Sequence, residues 1–85
     1  MAEDKVVHSF KRTPTEEVRA TVREYRGRTY IDLRIYYMDN SGEWRPTRKG
    51  IALSTEFISD LRTCVGKFEE ELAAIEKGEE GAAEE

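Results

Sequence analysis

Thr29-Tyr30-Ile31-Asp32-Leu33-Arg34-Ile35-Tyr36-Tyr37-Met38 carries the clearest strand pattern in the chain. It is dense in β-branched and aromatic residues, which suit a pleated, half-buried surface. Ile31, Leu33 and Ile35 alternate with Tyr30, Asp32, Arg34 and Tyr36, the period of two expected of a strand with one face buried. This reads as the central strand. Upstream, Val18, Ala20 and Val22 alternate with Arg19, Thr21 and Arg23, so a neighbouring strand carries one apolar face and one basic face. Arg26-Gly27-Arg28 supplies the turn between the two, with Gly27 able to take positive φ without a Cβ penalty.

Downstream, Asp39-Asn40-Ser41-Gly42 is a run of turn formers. Glu43 to Thr47, with Trp44 and Arg45, predicts a third, shorter strand. Pro46 within it has no N–H for a ladder and therefore belongs at a strand end, an edge or a bulge. Gly50 to Leu53 predicts a fourth strand, antiparallel like the others because every connection is short. Ser54 then reads as a helix N-cap. Phe57, Leu61, Val65, Phe68, Leu72 and Ile75 recur at steps of three and four, one apolar stripe on a single helix. A helix of about 21 residues runs ~30 Å, longer than a small sheet needs. Part of the stripe is expected to pack on the sheet, and Leu61, Val65, Phe68 and Leu72 are assigned to a dimer interface. The fold class is α+β: a curved four-stranded antiparallel meander followed by one long C-terminal helix, homodimeric.

The ends are assigned differently. Residues 1–15 show no sustained periodicity and read as a flexible arm, residues 16–77 as the folded domain, and residues 78–85, all Gly, Ala and Glu, as a disordered acidic tail. A chain of 85 residues buries too little to be comfortably stable alone, and a single cysteine excludes an internal disulfide. Cys64, close to Val65 and Phe68, is expected to be a buried or half-buried thiol rather than a nucleophile. No apolar run approaches the ~20 residues of a membrane span, and Met1 to Lys5 lack the features of a signal peptide. The expected location is cytoplasmic, on the nucleoid if the source is bacterial.

The net charge of −4 hides a segregation. Lys11 to Lys49 hold ten Lys or Arg against six acids, whereas from Gly50 onward three bases face ten acids. The sheet is basic and the helix and tail are acidic. Catalysis finds no support: His8, the one histidine, has no partner held near it, and one Cys with one His cannot build a zinc site. No phosphate-binding glycine motif occurs, so neither an enzyme nor a cofactor is expected. What remains is a sheet face on which arginines interleave with aromatic rings. That combination suits single-stranded nucleic acid, where cations follow phosphates and rings receive unpaired bases.

The stretch from Val18 to Leu53 resembles a known family. Its elements are Val22-Arg23-Glu24-Tyr25-Arg26-Gly27-Arg28, then Ile31-Asp32-Leu33-Arg34, Tyr36-Tyr37-Met38, Gly42-Glu43 and Arg48-Lys49-Gly50-Ile51-Ala52-Leu53. Together they look like the single-strand-binding domain of the positive cofactor four family of transcriptional coactivators, in a compact form similar to bacterial and phage members. The resemblance implies a homodimer that grips single-stranded DNA, with transcription or replication proteins as candidate associates; the basic aromatic face itself leaves RNA as a second candidate ligand. By position it implies Tyr25 and Tyr37 as stacking rings, and Arg26, Arg28, Arg34, Arg45, Arg48 and Lys49 as backbone contacts, with Arg23 beside them. Ile35 stands where the family often has an acid, and Tyr37 where it often has tryptophan. In a regular strand Arg34 and Tyr37 point to opposite faces, so a bulge or strong curvature is needed for both to reach one ligand. The competing reading is a protein-interaction or transcription-regulatory module whose basic face meets an acidic protein partner.

Overall fold

The strand Arg28–Met38 does lie inside a four-stranded sheet, but the strand added beyond its partner comes from the segment read as an arm. The computed structural model describes residues 4–78, and the tail expected over residues 78–85 lies, past Gly78, outside the described residues. Strands β1 (Lys5–Thr13), β2 (Glu16–Tyr25), β3 (Arg28–Met38) and β4 (Trp44–Ser54) follow one another across the sheet in chain order, all antiparallel. A 3₁₀ turn (Thr55–Phe57) leads into the helix α1 (Ile58–Glu76). The α+β meander with one C-terminal helix is therefore present, with two changes to its composition.

The first change is at the amino end. Lys5–Thr13 pairs with β2 from Lys5↔Val22 to Thr13↔Glu16, and Pro14 and Thr15 form the hairpin turn. The pattern of this strand is hidden in the sequence because its register shifts twice, between Val6 and His8 and between Lys11 and Thr13. Each bulge inserts a residue and reverses the alternation of faces.

The second change is in β4, which is one strand rather than two. Arg34 pairs with Gly50 and Tyr36 with Pro46, so Thr47, Arg48 and Lys49 oppose Ile35 alone. Thr47 Oγ1 donates to the Ile35 carbonyl at 2.7 Å and accepts from Lys49 N at 3.0 Å, fixing this wide bulge. Pro46 is accommodated because β4 is an edge strand with an open outer side. Gly50 is needed for close approach: a Cβ there would lie 2.7 Å from the Leu33 carbonyl oxygen and 2.8 Å from Arg34 Cα.

The turn between β2 and β3 holds both central residues at positive φ, Arg26 at 54° and Gly27 at 76°. This is the twist-matched two-residue hairpin, which glycine adopts freely and arginine only against a steric cost. The turn after β3 is organised by Asp39, whose Oδ1 accepts from Ser41 N, Ser41 Oγ and Glu43 N at 2.9, 2.8 and 3.0 Å. Ser54 starts the 3₁₀ turn in extended backbone, but its hydroxyl makes no capping bond, contrary to expectation.

The two faces of the sheet differ. Val18, Ala20 and Val22 of β2, Ile31, Leu33 and Ile35 of β3, and Ile51 and Leu53 of β4 share one face through the ladder register. Ile58 and Leu61, at the start of α1, help to line a cavity of ≈ 170 Å³ against it. Beyond Leu61 the stripe lies open: Val65, Phe68 and Leu72 are 52%, 67% and 60% exposed. Among the described residues no hydrophobic side chain is buried; only Thr21 and Asp32 are. Cys64 is exposed on the same helix, not buried as expected.

Candidate nucleic-acid interface

The opposite, polar face is set by the same register. Arg19, Thr21, Arg23 and Tyr25 of β2 lie beside Arg34, Asp32, Tyr30 and Arg28 of β3, and Tyr36 continues the row. Small residues of β4, Gly50 and Ala52, border it at Arg34 and Asp32. Bulky cationic and aromatic groups therefore project from β2 and β3 with little to cover them on the β4 side.

Asp32 is the electrostatic centre of this face. It is 4% exposed and lies under two arginines. Arg34 grips it with Nη2 on Oδ1 at 2.7 Å and Nε on Oδ2 at 3.2 Å, while Arg34 Nη1 donates to the Thr47 carbonyl at 3.1 Å. The carboxylate raises the Arg34 pKa above its ordinary value. Arg23 stands with Nε 3.7 Å from Asp32 Oδ2 and donates from Nη1 to Asp4 at 3.2 Å. Arg34 is thereby held in place by a buried acid, whereas Arg23 lies beside the same carboxylate with its buried Nε left without a hydrogen-bond partner. Both present the planar fork that suits phosphate as well as carboxylate.

At the β2–β3 hairpin end the face opens into a groove of ≈ 450 Å³ lined by Tyr25, Tyr30, Arg23 and Asp4. Arg23 pairs with Tyr30, and Tyr25 with Arg28, so the two phenol rings are diagonal neighbours. Tyr25 is 59% exposed. The Arg26 guanidinium lies 5.2 Å from the centre of the Tyr25 ring.

The nine residues expected to touch nucleic acid are divided by the sheet. Arg23, Tyr25, Arg28 and Arg34 share the polar face, with Arg26 at the hairpin tip. Arg48 and Lys49 are exposed in the β4 bulge, at the sheet edge. Tyr37 and Arg45 are paired with each other on the face of Leu33 and Ile35. Arg45 donates to Asp39 Oδ2 at 2.6 Å, and this bond is the leading cause of an Asp39 pKa well below the carboxylate range. A regular β3 thus separates Tyr37 from Arg34, and the bulge that adjoins them belongs to β4. Sequence reasoning misses Tyr30 because an aromatic in a strand usually pads a sheet; its parity with Arg34 is the signal that points to it. Asp4, outside any periodic stretch, carries no signal in the sequence.

Among the described residues no cluster of metal-ligating side chains occurs, and no helix is long and apolar enough to cross a membrane.

Comparison with known proteins places these features in a group. The RNA polymerase II transcriptional coactivator SUB1 of Saccharomyces cerevisiae is 46% identical over 44 residues, 51% of this chain and 15% of the yeast protein. A putative RNA polymerase II transcriptional coactivator of Caenorhabditis elegans is 35% identical over 51 residues, 59% of this chain and 41% of that protein. The chain thus spans less than half the length of these curated relatives. Among solved structures, a PC4 homolog from Burkholderia pseudomallei superposes with a TM-score of 0.68 at 30% identity, covering 74% of this chain and 85% of its own. The bacteriophage T5 homolog of the eukaryotic coactivator PC4, described as implicated in recombination-dependent DNA replication, gives a TM-score of 0.67 at 26% identity over 89% and 85% of the two chains. Residues 13–64, which run from the last residue of β1 into α1, match the family described as Transcriptional Coactivator p15 (PC4), and the chain belongs to that family.

Proposed function

We propose that this protein is a homodimer that binds single-stranded DNA with little regard to sequence and without catalytic turnover. The observation that carries this reading is the row Arg23, Tyr25, Tyr30 and Arg34 on one face of the sheet, with the Arg34 guanidinium fixed from below by Asp32. Cations at intervals along a strand direction follow a phosphate chain, and exposed rings between them receive unpaired bases at about 1–3 kcal/mol each. A base pair offers its flat surface to no such ring, so single strands are preferred over duplex.

The path of the strand begins at the hairpin tip, on Tyr25, Arg26 and Arg28, and crosses Arg23 and Arg34. From Arg34 it rounds the open edge of β4 past Arg48 and Lys49 to reach Arg45 and Tyr37 on the other side. This route uses the edge position of β4 to join groups that the sheet itself holds apart.

Dimerisation rests on a different observation, the absence of any buried hydrophobic side chain among the described residues. A domain of this size needs a core, and the open face of Leu33 and Ile51 together with the stripe of Val65, Phe68 and Leu72 provides one when a second copy covers it. Transcription, replication and repair all present single-stranded DNA, and the relatives' descriptions cover the first two.

The test is a salt titration of a labelled single-stranded oligonucleotide and of its duplex. Affinity is expected to fall linearly on a log–log plot, with the single strand bound more tightly throughout. Equal affinity for both forms, or indifference to salt, would remove the reading.

A further inference from the structure

At the far end of the polar face from Tyr25, two cation–ring pairs occur that the path above does not use. The Arg19 guanidinium lies 4.2 Å above the centre of the Tyr36 ring, and Glu17 holds its Nε at 2.6 Å. Lys11 Nζ lies 5.8 Å from the centre of the Trp44 ring. The second pair spans the sheet. Lys11 is on β1 and Trp44 on β4, with two strands between them, so their backbones are held ~14 Å apart. The two long side chains close that gap by reaching toward each other over β2 and β3. Lys11 and Trp44 thus bracket the Arg19–Tyr36 stack, and the space these four side chains bound is a shallow trough on the polar face.

The chemistry of the trough is that of a nucleotide subsite. The Arg19 plane is already stacked and already oriented by a carboxylate, so its outer surface is a preformed platform for a base. Glu17 neutralises Arg19, which leaves Lys11 as the cation for a phosphate; among the described residues no carboxylate lies within ion-pair distance of Lys11. Trp44 provides the strongest stacking ring of the chain, beside a cation whose contact with it is loose enough to be exchanged for phosphate.

We propose that the trough formed by Lys11, Arg19, Tyr36 and Trp44 is a second subsite for single-stranded nucleic acid, separate from the groove at Tyr25 and Tyr30. The proposal rests on the binding function above and extends it to the β1 strand and to residues that carry no assigned role. A strand lying in the trough stacks a base between Trp44 and the Arg19 plane and draws Lys11 from the ring to its phosphate.

Trp44 is the only tryptophan, so its emission reports on the trough alone. The experiment titrates the full chain with oligothymidylate at low salt, following Trp44 fluorescence and, in parallel, the anisotropy of an end-labelled oligonucleotide. Emission is expected to change along the same isotherm as anisotropy. Lys11→Ala, a change on an exposed strand position, is expected to reduce the log–log salt slope by about one, and Trp44→Ala to weaken binding about tenfold. Tight binding by anisotropy with unchanged Trp44 emission and a Lys11→Ala affinity within about twofold of the parent would overturn the subsite and leave the function standing. Absence of binding by either signal would overturn both.

Discussion

Arg34 and Asp32 are locked together across one strand: two guanidinium nitrogens meet two carboxylate oxygens at 2.7 and 3.2 Å, on a residue that is 4% exposed. An acid at the centre of a cationic surface looks counterproductive if charge alone governs binding. It makes sense as a positioning group, because an arginine of this length otherwise loses rotamer freedom on every contact it makes.

The two views predict opposite signs for Asp32→Asn. Removing a negative charge would tighten binding if only net charge mattered. The structure predicts instead that single-strand affinity falls about tenfold, since Arg34 loses its anchor and Arg23 a neighbouring opposite charge, and that the protein is destabilised by about 3 kcal/mol as a buried ion pair is broken. Anisotropy and urea unfolding of the same variant measure the two effects.

Asp4 acts in the contrary sense. Its carboxylate receives Arg23 Nη1 at 3.2 Å inside the groove of Tyr25 and Tyr30, on the path proposed for the phosphate chain. Asp4→Asn is expected to tighten single-strand binding about threefold at low salt, an exposed ion pair being worth well under about 1 kcal/mol. An unchanged or weaker affinity would show that the acid does not compete.

Gly50 tests the wide bulge. Its absent Cβ lies where backbone atoms of Leu33 and Arg34 leave no room, and backbone cannot move aside as a side chain can. Gly50→Ala is expected to cost about 1–3 kcal/mol of stability, read from the urea midpoint, and to shift the edge strand that presents Arg48 and Lys49.

The turn at Asp39 makes the fold acid-sensitive in a defined direction. Pairing with Arg45, then hydrogen bonds from Glu43 and Ser41, depress the Asp39 pKa below its ordinary value of 3.8. A carboxyl depressed on folding contributes stability that is complete above the unfolded pKa and is lost as pH falls toward the folded one. Thermal unfolding followed from about pH 5 to pH 2 is expected to show a shallower decline in Asp39→Asn than in the parent. An identical decline in both proteins would place the acid sensitivity elsewhere.

The legibility of this chain followed how regular each segment is. Thr29–Met38 keeps an unbroken period of two, and its strand, its partner and both faces were readable from residue types. β1 was not, because two register shifts scramble the alternation of Val6, His8 and Phe10. β4 looked like two strands because three residues of its bulge oppose one of β3, a local geometry that leaves no mark in propensity. For the interface, parity alone put Arg23, Tyr25 and Arg34 together and set Tyr37 apart. The Asp32 anchor and the Lys11–Trp44 approach were hidden, since both depend on how side chains from non-adjacent positions meet over the sheet. The helix pattern was legible as a stripe, yet only its first turn packs on the chain's own sheet.

The most direct test of where unpaired bases lie is photo-cross-linking with a single-stranded oligonucleotide carrying halogenated uracil, followed by identification of the modified residues. Adducts are expected on Tyr25 and Tyr30. Adducts confined to Phe57 and Phe68 of the apolar surfaces, with none on either tyrosine, would contradict the assignment of the polar face.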